Sequence, residues 1–458
     1  MSERRLAPLW GWLRQTVGED APRPTHHLWG LMRGMLRHGS HVLSARSLEM
    51  NEYGPADLDA FVAKVDSFGG PGFPGVDDYW RGFNYAPVTA VDTSLDPFGA
   101  AYFEQQIALY REISGRTLDQ TANEHTVFDP EAHLNARNPY NHGEPGVLAN
   151  HLVQLTMAMR LANPRRGARM VDMGCGWGLS SELGSYLGLE VEAVDINPDF
   201  VELVRARSER YRYDIKPVQA GFDDYLPDAS VDLVLFYECL HHAVEPWALL
   251  SRLSKRLSSG GKIVACGEPI NTFWWPHWGL RLDPMSVYCI RKHGWFESGW
   301  SREFIVACMD RALLNTSVVT HPEPQIGDFI IGAADPLLSP DWMVRNCEIV
   351  GAALDGDYLV ATGDMRIIFR TSLADAKAEI SLHSFRDRPV TANMRWNDGP
   401  IVPLSLQPGE TRLPVDGTGE AGTSLTIVSE TWVPAEEIGN LDTRRLAFQI
   451  GGVAIGRA

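Results

Sequence analysis

The stretch Arg169-Met170-Val171-Asp172-Met173-Gly174-Cys175-Gly176-Trp177-Gly178-Leu179-Ser180 is a short apolar strand that runs into a glycine turn and opens a helix. A turn of this kind suits a nucleoside ligand. Glycine lets the backbone approach a ligand closely, and the start of a helix offers unpaired N–H groups. The spacing is Gly-x-Gly-x-Gly, with Leu179 where a dinucleotide fingerprint places its third glycine. That departure argues against NAD and toward a ligand without a pyrophosphate.

Downstream, Leu189-Glu190-Val191-Glu192-Ala193-Val194-Asp195-Ile196-Asn197 alternates as a second strand and ends on an acid. Asp195 falls about 20 residues beyond the glycine turn, where a carboxylate can accept both hydroxyls of a ribose. A third strand near 217–220 leads into Gly221-Phe222-Asp223-Asp224, an aromatic ring and an acid placed to hold an adenine. The fourth, Val231-Asp232-Leu233-Val234-Leu235-Phe236-Tyr237, runs into Glu238-Cys239-Leu240-His241-His242. The fifth follows the turn Ser258-Ser259-Gly260-Gly261 and ends at Glu268-Pro269. Strands alternate with helical patterns at βαβ spacing, so the economical fold is a parallel, doubly wound sheet.

The series resembles the class I S-adenosylmethionine-dependent methyltransferases over roughly residues 146–335. The resemblance rests on Val171-Asp172-Met173-Gly174-Cys175-Gly176-Trp177-Gly178, on Val194-Asp195-Ile196-Asn197, and on Leu240-His241-His242-Ala243-Val244-Glu245-Pro246 ahead of Leu257-Ser258-Ser259-Gly260-Gly261. It implies a Rossmann-like sheet of seven strands, the last two near 317–320 and 328–331 and antiparallel at the edge. It also implies S-adenosylmethionine as cofactor. The methionine part then lies at Gly174, Gly176 and Gly178 beside Asp172, the ribose on Asp195, and the adenine near Phe222 and Asp223. Ile196 and Tyr237 complete that set. The alternative is an α/β domain with unused turns, but no single packing demand explains all these positions together.

Methyl transfer to a hydroxyl needs an aligned acceptor, exclusion of water and removal of a proton. His241 and His242, at the end of the fourth strand, are the candidate bases, since imidazole titrates near neutral pH. His242 comes first, because strand alternation makes the two side chains diverge and similar methyltransferases more regularly carry the second. Glu268 either orients that histidine or takes the proton itself. No tight carboxylate cluster is visible in the sequence, so no metal site is expected.

The chain has 458 residues, enough for two or three domains, and three regions are expected: 1–145, mainly helical and capping the substrate; 146–338, the methyltransferase unit; and 339–458. A net charge of −17 disfavours nucleic-acid partners. Six scattered cysteines read as reduced, and no apolar stretch reaches the length of a membrane span; a cytoplasmic protein is expected. Segments 6–17 and 26–42 look like amphipathic helices, either touching a membrane surface or packing on the catalytic unit; their small basic excess favours packing. Asn138-Pro139-Tyr140-Asn141-His142-Gly143-Glu144 is either a cap over the cofactor, with Tyr140 and His142 facing the substrate, or an ordinary loop.

After the fifth strand, Trp274-Trp275-Pro276-His277-Trp278 and Gly294-Trp295-Phe296-Glu297-Ser298-Gly299-Trp300 lie beyond the edge where open α/β sheets bind ligands. Trp275 and His277 there suit a sugar ring, and packing between inserts is the equal alternative. From about Asp335 short alternating runs separated by Asn397-Asp398-Gly399-Pro400 and Gln407-Pro408-Gly409 predict an antiparallel β-sandwich. Ser429-Glu430-Thr431-Trp432-Val433-Pro434 resembles C-terminal segments of bacterial polysaccharide-biosynthesis enzymes. The expected activity is therefore O-methylation of a sugar hydroxyl on a glycan or its activated precursor. The alternatives are methylation of another small metabolite at oxygen, nitrogen or carbon, and a glycan-binding scaffold with a vestigial methyltransferase fold.

Overall fold

The computed structural model describes residues 51–456 apart from 126, 127, 142, 375, 416–418, 438 and 440. The helices expected at 6–17 and 26–42, and His142, lie outside the described residues. The first described elements are β1 (Asn51–Tyr53) and β2 (Phe83–Tyr85), a short parallel pair among helices that include Leu58–Ser67 and Ala100–Ser114.

The central sheet is built from β3 (Arg169–Met173), β4 (Glu190–Asp195), β5 (Ile215–Gln219), β6 (Val231–Tyr237) and β7 (Leu257–Cys266), all mutually parallel where they pair. A hairpin of β8 (Trp278–Leu280) and β9 (Ser298–Trp300) interrupts the series; then β10 (Asn315–Thr320) and β11 (Asp328–Ala333) close it antiparallel against β7. The order is β10-β11-β7-β6-β3-β4-β5, seven strands as expected. β3 sits between β4 and β6, so its run of apolar side chains is covered on both faces. Alternation sorts them: Val171, Val234 and Phe236 join the cluster under the helix Pro246–Ser254, while Met170, Leu233, Leu235 and Tyr237 join the one under the helix Pro145–Ala162.

The described residues before 145 and the excursion from 278 to 300 form one cap. Tyr102 Oη donates to the Trp278 carbonyl at 2.5 Å and Tyr110 Oη to the Gly294 carbonyl at 2.5 Å. Leu280 N–H donates to Gln106 Oε1 at 3.0 Å, and Arg116 reaches the carbonyls of Lys292 and His293 at 2.9 Å. The N-terminal region also shares an apolar cluster with one face of the central sheet, through Leu58, Tyr102, Tyr110 and Ile113.

Beyond Asp335 lie β12 (Leu337–Leu338), the helix Pro340–Asn346, β13 (Cys347–Asp355), β14 (Tyr358–Phe369), β15 (Lys377–Ser384), β16 (Val390–Trp396), β17 (Val402–Leu406), β18 (Gly409–Pro414), β19 (Ser424–Ser429) and β20 (Gln449–Gly456). The expected sandwich of two sheets is corrected to one continuous sheet of nine strands. β14 is the reason. Its first residues pair with β20 and its last with β19, so one long strand joins what would have been two sheets. β17 and β18 stand at opposite ends of the hydrogen-bonded path, yet only Gln407 and Pro408 separate them in the chain. The sheet must therefore curl until its edges nearly meet, as in an incompletely closed barrel.

Leu337 and Leu338, at the end of the expected 146–338 unit, already pair with Ala454 and Val453 of the C-terminal sheet. That sheet encloses its own apolar cluster around Trp342, Phe369, Ile380 and Ile427. It is bolted to the central unit at buried Asp310, which accepts from Arg345 Nε at 2.7 Å and Asn346 Nδ2 at 3.0 Å. Among the described residues no helix is long and apolar enough to cross a membrane.

Candidate active site

A cavity of about 410 Å³ opens at the C-terminal ends of β3, β4 and β6. One end is made by the turns that follow those strands. Cys175 N–H bonds the Val194 carbonyl at 3.0 Å, which folds the glycine turn over the β4 tip. Gly176 has φ +48° with open space where a Cβ would stand, so its backbone is bare toward the cavity. Its N–H donates to Asp195 Oδ2 at 2.9 Å, and Asn197 N–H donates to Oδ1 at 2.9 Å. Burial pushes the Asp195 carboxyl up to about 6, against the pull of those two backbone donors. Ile196 and Phe222 line the same end, and Arg252 pins the next turn through the carbonyls of Phe222 and Asp223.

Two of the expected cofactor residues are elsewhere. Asp172 lies fully buried beneath the turn, where it accepts from Ser180 Oγ at 2.7 Å and Ser181 Oγ at 2.5 Å. It anchors the helix Leu179–Tyr186 and does not line the cavity. Gly178 is also absent from the lining. A Cβ there would meet Val204 Cγ2 at 2.8 Å, so that glycine serves the packing of two helices. Gly174, Gly176, Asp195, Ile196, Phe222, Asp223, Tyr140 and Tyr237 all line the cavity. Tyr237 Oη donates to Gln154 Oε1 at 2.9 Å, and Tyr140 packs edge-on against His151. Tyr140 thus brings the loop before the helix Pro145–Ala162 to this end of the cavity.

The opposite end is assembled from distant segments. β6 ends in a 3₁₀ turn, Leu240–His242, and the Glu268 carboxylate holds that turn from β7's side. Glu268 Oε1 accepts from Cys239 N–H at 3.1 Å and Leu240 N–H at 2.9 Å; Oε2 accepts from His241 N–H at 3.1 Å and lies 2.8 Å from His241 Nδ1. The expectation that Glu268 orients one of the two histidines or takes the proton is narrowed: it holds His241, not His242. Its acceptor capacity is used on the turn and on His241, and neither it nor His241 lines the cavity. His242 does line it. Gln120 Nε2 holds the His242 carbonyl at 2.6 Å, and Glu124 Oε2 stands 3.3 Å from His242 Nδ1. Burial disfavours the imidazolium, but the Glu124 carboxylate, helped by Glu297 and Glu268, outweighs it and raises His242 to about 9.

Trp275 and His277, the expected sugar platform, are likewise corrected. Trp275 Nε1 donates to the Leu280 carbonyl at 2.7 Å and its ring packs on Gly279, while the His277 carbonyl receives Ser301 N–H; neither lines the cavity. Trp295, from the second aromatic segment, takes that place, edge-on to His242. Gln120, Glu124 and Glu238 also line the cavity and were missed. Glu238 carried a signal, because it follows directly on the β6 tip; it adopts φ +53° there, and burial pushes its carboxyl up to about 7. Nothing in the local sequence marks Glu124.

Residues 171–265 match the family described as a methyltransferase domain. A ubiquinone biosynthesis O-methyltransferase of Xanthomonas campestris pv. campestris (strain B100) is 33% identical over 109 residues, which are 23% of this chain and 45% of that relative. The chain thus spans less than half the length of the curated relative it matches. Similar solved structures include a SAM-dependent methyltransferase from Aquifex aeolicus, at 15% identity and TM-score 0.34, covering 45% of this chain and all of that one. Another is the N-methyltransferase NodS from Bradyrhizobium japonicum WM9, in complex with S-adenosylhomocysteine, at 14% identity and TM-score 0.31, covering 47% of this chain and 97% of that one. Residues 171–265, which carry the glycine turn and the centre of the seven-stranded sheet, thus match a methyltransferase domain.

Proposed function

We propose that this protein O-methylates a small hydroxyl-bearing metabolite, with the acceptor hydroxyl lying against His242. The observation that carries the reading is the two-ended cavity: the Asp195 carboxylate at one end and a single lining histidine, among the described residues, at the other. The residues present fit the cofactor. Asp195 offers both carboxylate oxygens beside the bare Gly176 backbone, and Ile196 with Phe222 supplies apolar faces for an adenine. Gly174, Tyr140, Tyr237 and Glu238 would hold the methionine part, with the acidic Glu238 suited to its ammonium group. When bound, S-adenosylmethionine supplies an electrophilic methyl group on a sulfonium.

The remaining work belongs to the chain. Trp295, Gln120 and Thr121 wall off the acceptor end, which excludes water and orients the hydroxyl. His242 takes the proton that the hydroxyl must lose as the new C–O bond forms; because it is raised to about 9 it does so only in its deprotonated form, so turnover should rise with pH toward 9. A sugar hydroxyl is chemically eligible, but the Trp275 platform that favoured a sugar packs away from the cavity. The O-methyltransferase relative directs the acceptor class toward small metabolites. Incubation with trideuteromethyl-labelled S-adenosylmethionine and a small-molecule cell extract should place the label on oxygen of a low-molecular-weight product, read by mass spectrometry. Label recovered on nitrogen or carbon, or only on polymeric glycan, would overturn the reading.

A further inference from the structure

The acceptor end contains a cluster that the cofactor does not use. His241, His242 and Glu297 bring ligand atoms within 4.8 Å of one another, and Glu124 Oε2 adds a second carboxylate 3.3 Å from His242 Nδ1. Glu268 receives three backbone N–H groups as well as His241 Nδ1, so it is an acceptor on every side and the proton of His241 sits on Nδ1. His241 Nε2 faces Glu297 Oε2 at 3.6 Å, so either a proton or a metal cation lies between the two. A carboxylate that fixes the Nδ1–H tautomer of a histidine whose Nε2 faces an anionic ligand is the arrangement that orients imidazoles on metals.

The other members are buried and paired with opposite charge. His242 Nδ1 is buried and meets Glu124 Oε2 at 3.3 Å. Glu297 is more than nine-tenths buried, and besides His241 it meets, among the described residues, Arg281 Nη1 at 3.7 Å, whose charge is also answered by Asp283 at 3.0 Å. Glu124 spends Oε1 on Phe296 N–H at 2.8 Å and keeps Oε2 for the cluster. Separations of 3.3 and 3.6 Å are close to the edge lengths of a coordination shell with bonds of about 2.1 Å.

We infer that His241, His242, Glu297 and Glu124 form a site for one first-row divalent cation at the acceptor end of the cavity. Two imidazoles with two carboxylates favour zinc, manganese or iron over magnesium or calcium, and two carboxylates balance the charge of a dication. A cation here would face the cavity on the side of His242 and Glu124, where it would bind the acceptor oxygen and acidify its hydroxyl in place of His242 acting as base, the proton passing to water as the methyl arrives. The inference rests on the proposed placement of the acceptor beside His242. It also replaces the expectation of no metal, which held only because these ligands come from three separate segments.

The test uses the full chain, stripped with a chelator and titrated with Co²⁺, followed by visible d–d absorption and calorimetry. One equivalent should bind, with affinity falling at least about tenfold in Glu297→Gln and in His241→Ala, while S-adenosylmethionine affinity and melting temperature in Glu297→Gln stay near those of the parent. No d–d spectrum, equal affinity in both variants, or a thiolate charge-transfer band that puts the metal on cysteine overturns the inference. Full methyl transfer by the stripped protein overturns it too and leaves the proposed function standing. Cobalt held by the histidine pair in a protein that methylates no hydroxyl supports the metal site while the proposed function falls.

Discussion

The two ends of the cavity are built on different principles. At the cofactor end the lining groups, apart from Tyr140, Ser180 and Phe200, sit on a strand tip or the turn just after it, and the hydrogen bonds that shape it run between adjacent strands: Cys175 to Val194, Gly176 to Asp195. At the acceptor end, Glu124 meets His242 across a domain-sized separation in sequence, and Glu297 meets His241 only because the excursion after β7 folds back under the N-terminal cap. Neighbouring parallel strands impose the first geometry whatever the rest of the chain does. The second exists only once the cap has docked, through bonds such as Tyr102 to Trp278 and Tyr110 to Gly294. One end is thus a property of the sheet, and the other is free to change with the cap that is laid over it.

If that division is right, substitutions at the two ends should affect different quantities. The largest effect belongs to the acceptor end. His242→Asn should lower turnover by about 10²–10⁴-fold while calorimetric affinity for S-adenosylmethionine holds. Loss of cofactor affinity in parallel would show that the ends are not separable. Asp195→Ala should do the reverse, weakening cofactor binding by about 10²-fold through two lost charge-assisted hydrogen bonds. Retention of parental affinity would remove Asp195 from the ribose.

A smaller effect follows from the burial of that carboxyl, raised to about 6. Ribose hydroxyls donate to the ionised form, so lowering the pH from 7.5 to 5 protonates the free site and should cost about tenfold in cofactor affinity. Affinity flat across that range would mean that an ionised Asp195 does not hold the ligand. The smallest change is expected from removing the C-terminal sheet. A chain ending at Asp335 loses the Arg345 and Asn346 bonds to Asp310 but keeps both apolar clusters of the central sheet. Its cofactor affinity should stay within about threefold of the parent, with some loss of melting temperature. Failure to bind cofactor would tie the C-terminal sheet to the site.

The central sheet was legible because its causes are local. The apolar runs of β3 and β6, the glycine turn and the acid at the β4 tip are each contained in about a dozen residues, and parallel packing leaves one economical arrangement. Even there, the role of individual residues escaped. Asp172 and Gly178 belong to the motif, yet one anchors a helix start and the other lets two helices approach, because a motif records what the turn needs as well as what the ligand needs. Alternation predicted strands beyond Asp335 but not their closure. Whether two sheets or one results depends on β14 being long enough to pair with β20 at one end and β19 at the other.

By itself, then, the sequence determined the parallel sheet, the cofactor it is shaped to receive and the strand tips that line the cavity, since period-2 alternation and a glycine turn act over short range. Only the tertiary structure decided which histidine faces the cavity, that Glu268 serves the loop, that Trp295 and not Trp275 lines the cavity beside His242, and that Glu124 and Glu297 converge on the histidine pair. Those outcomes depend on contacts between residues far apart in the chain. Their side chains have no fixed relation until the cap and the sheet are packed together.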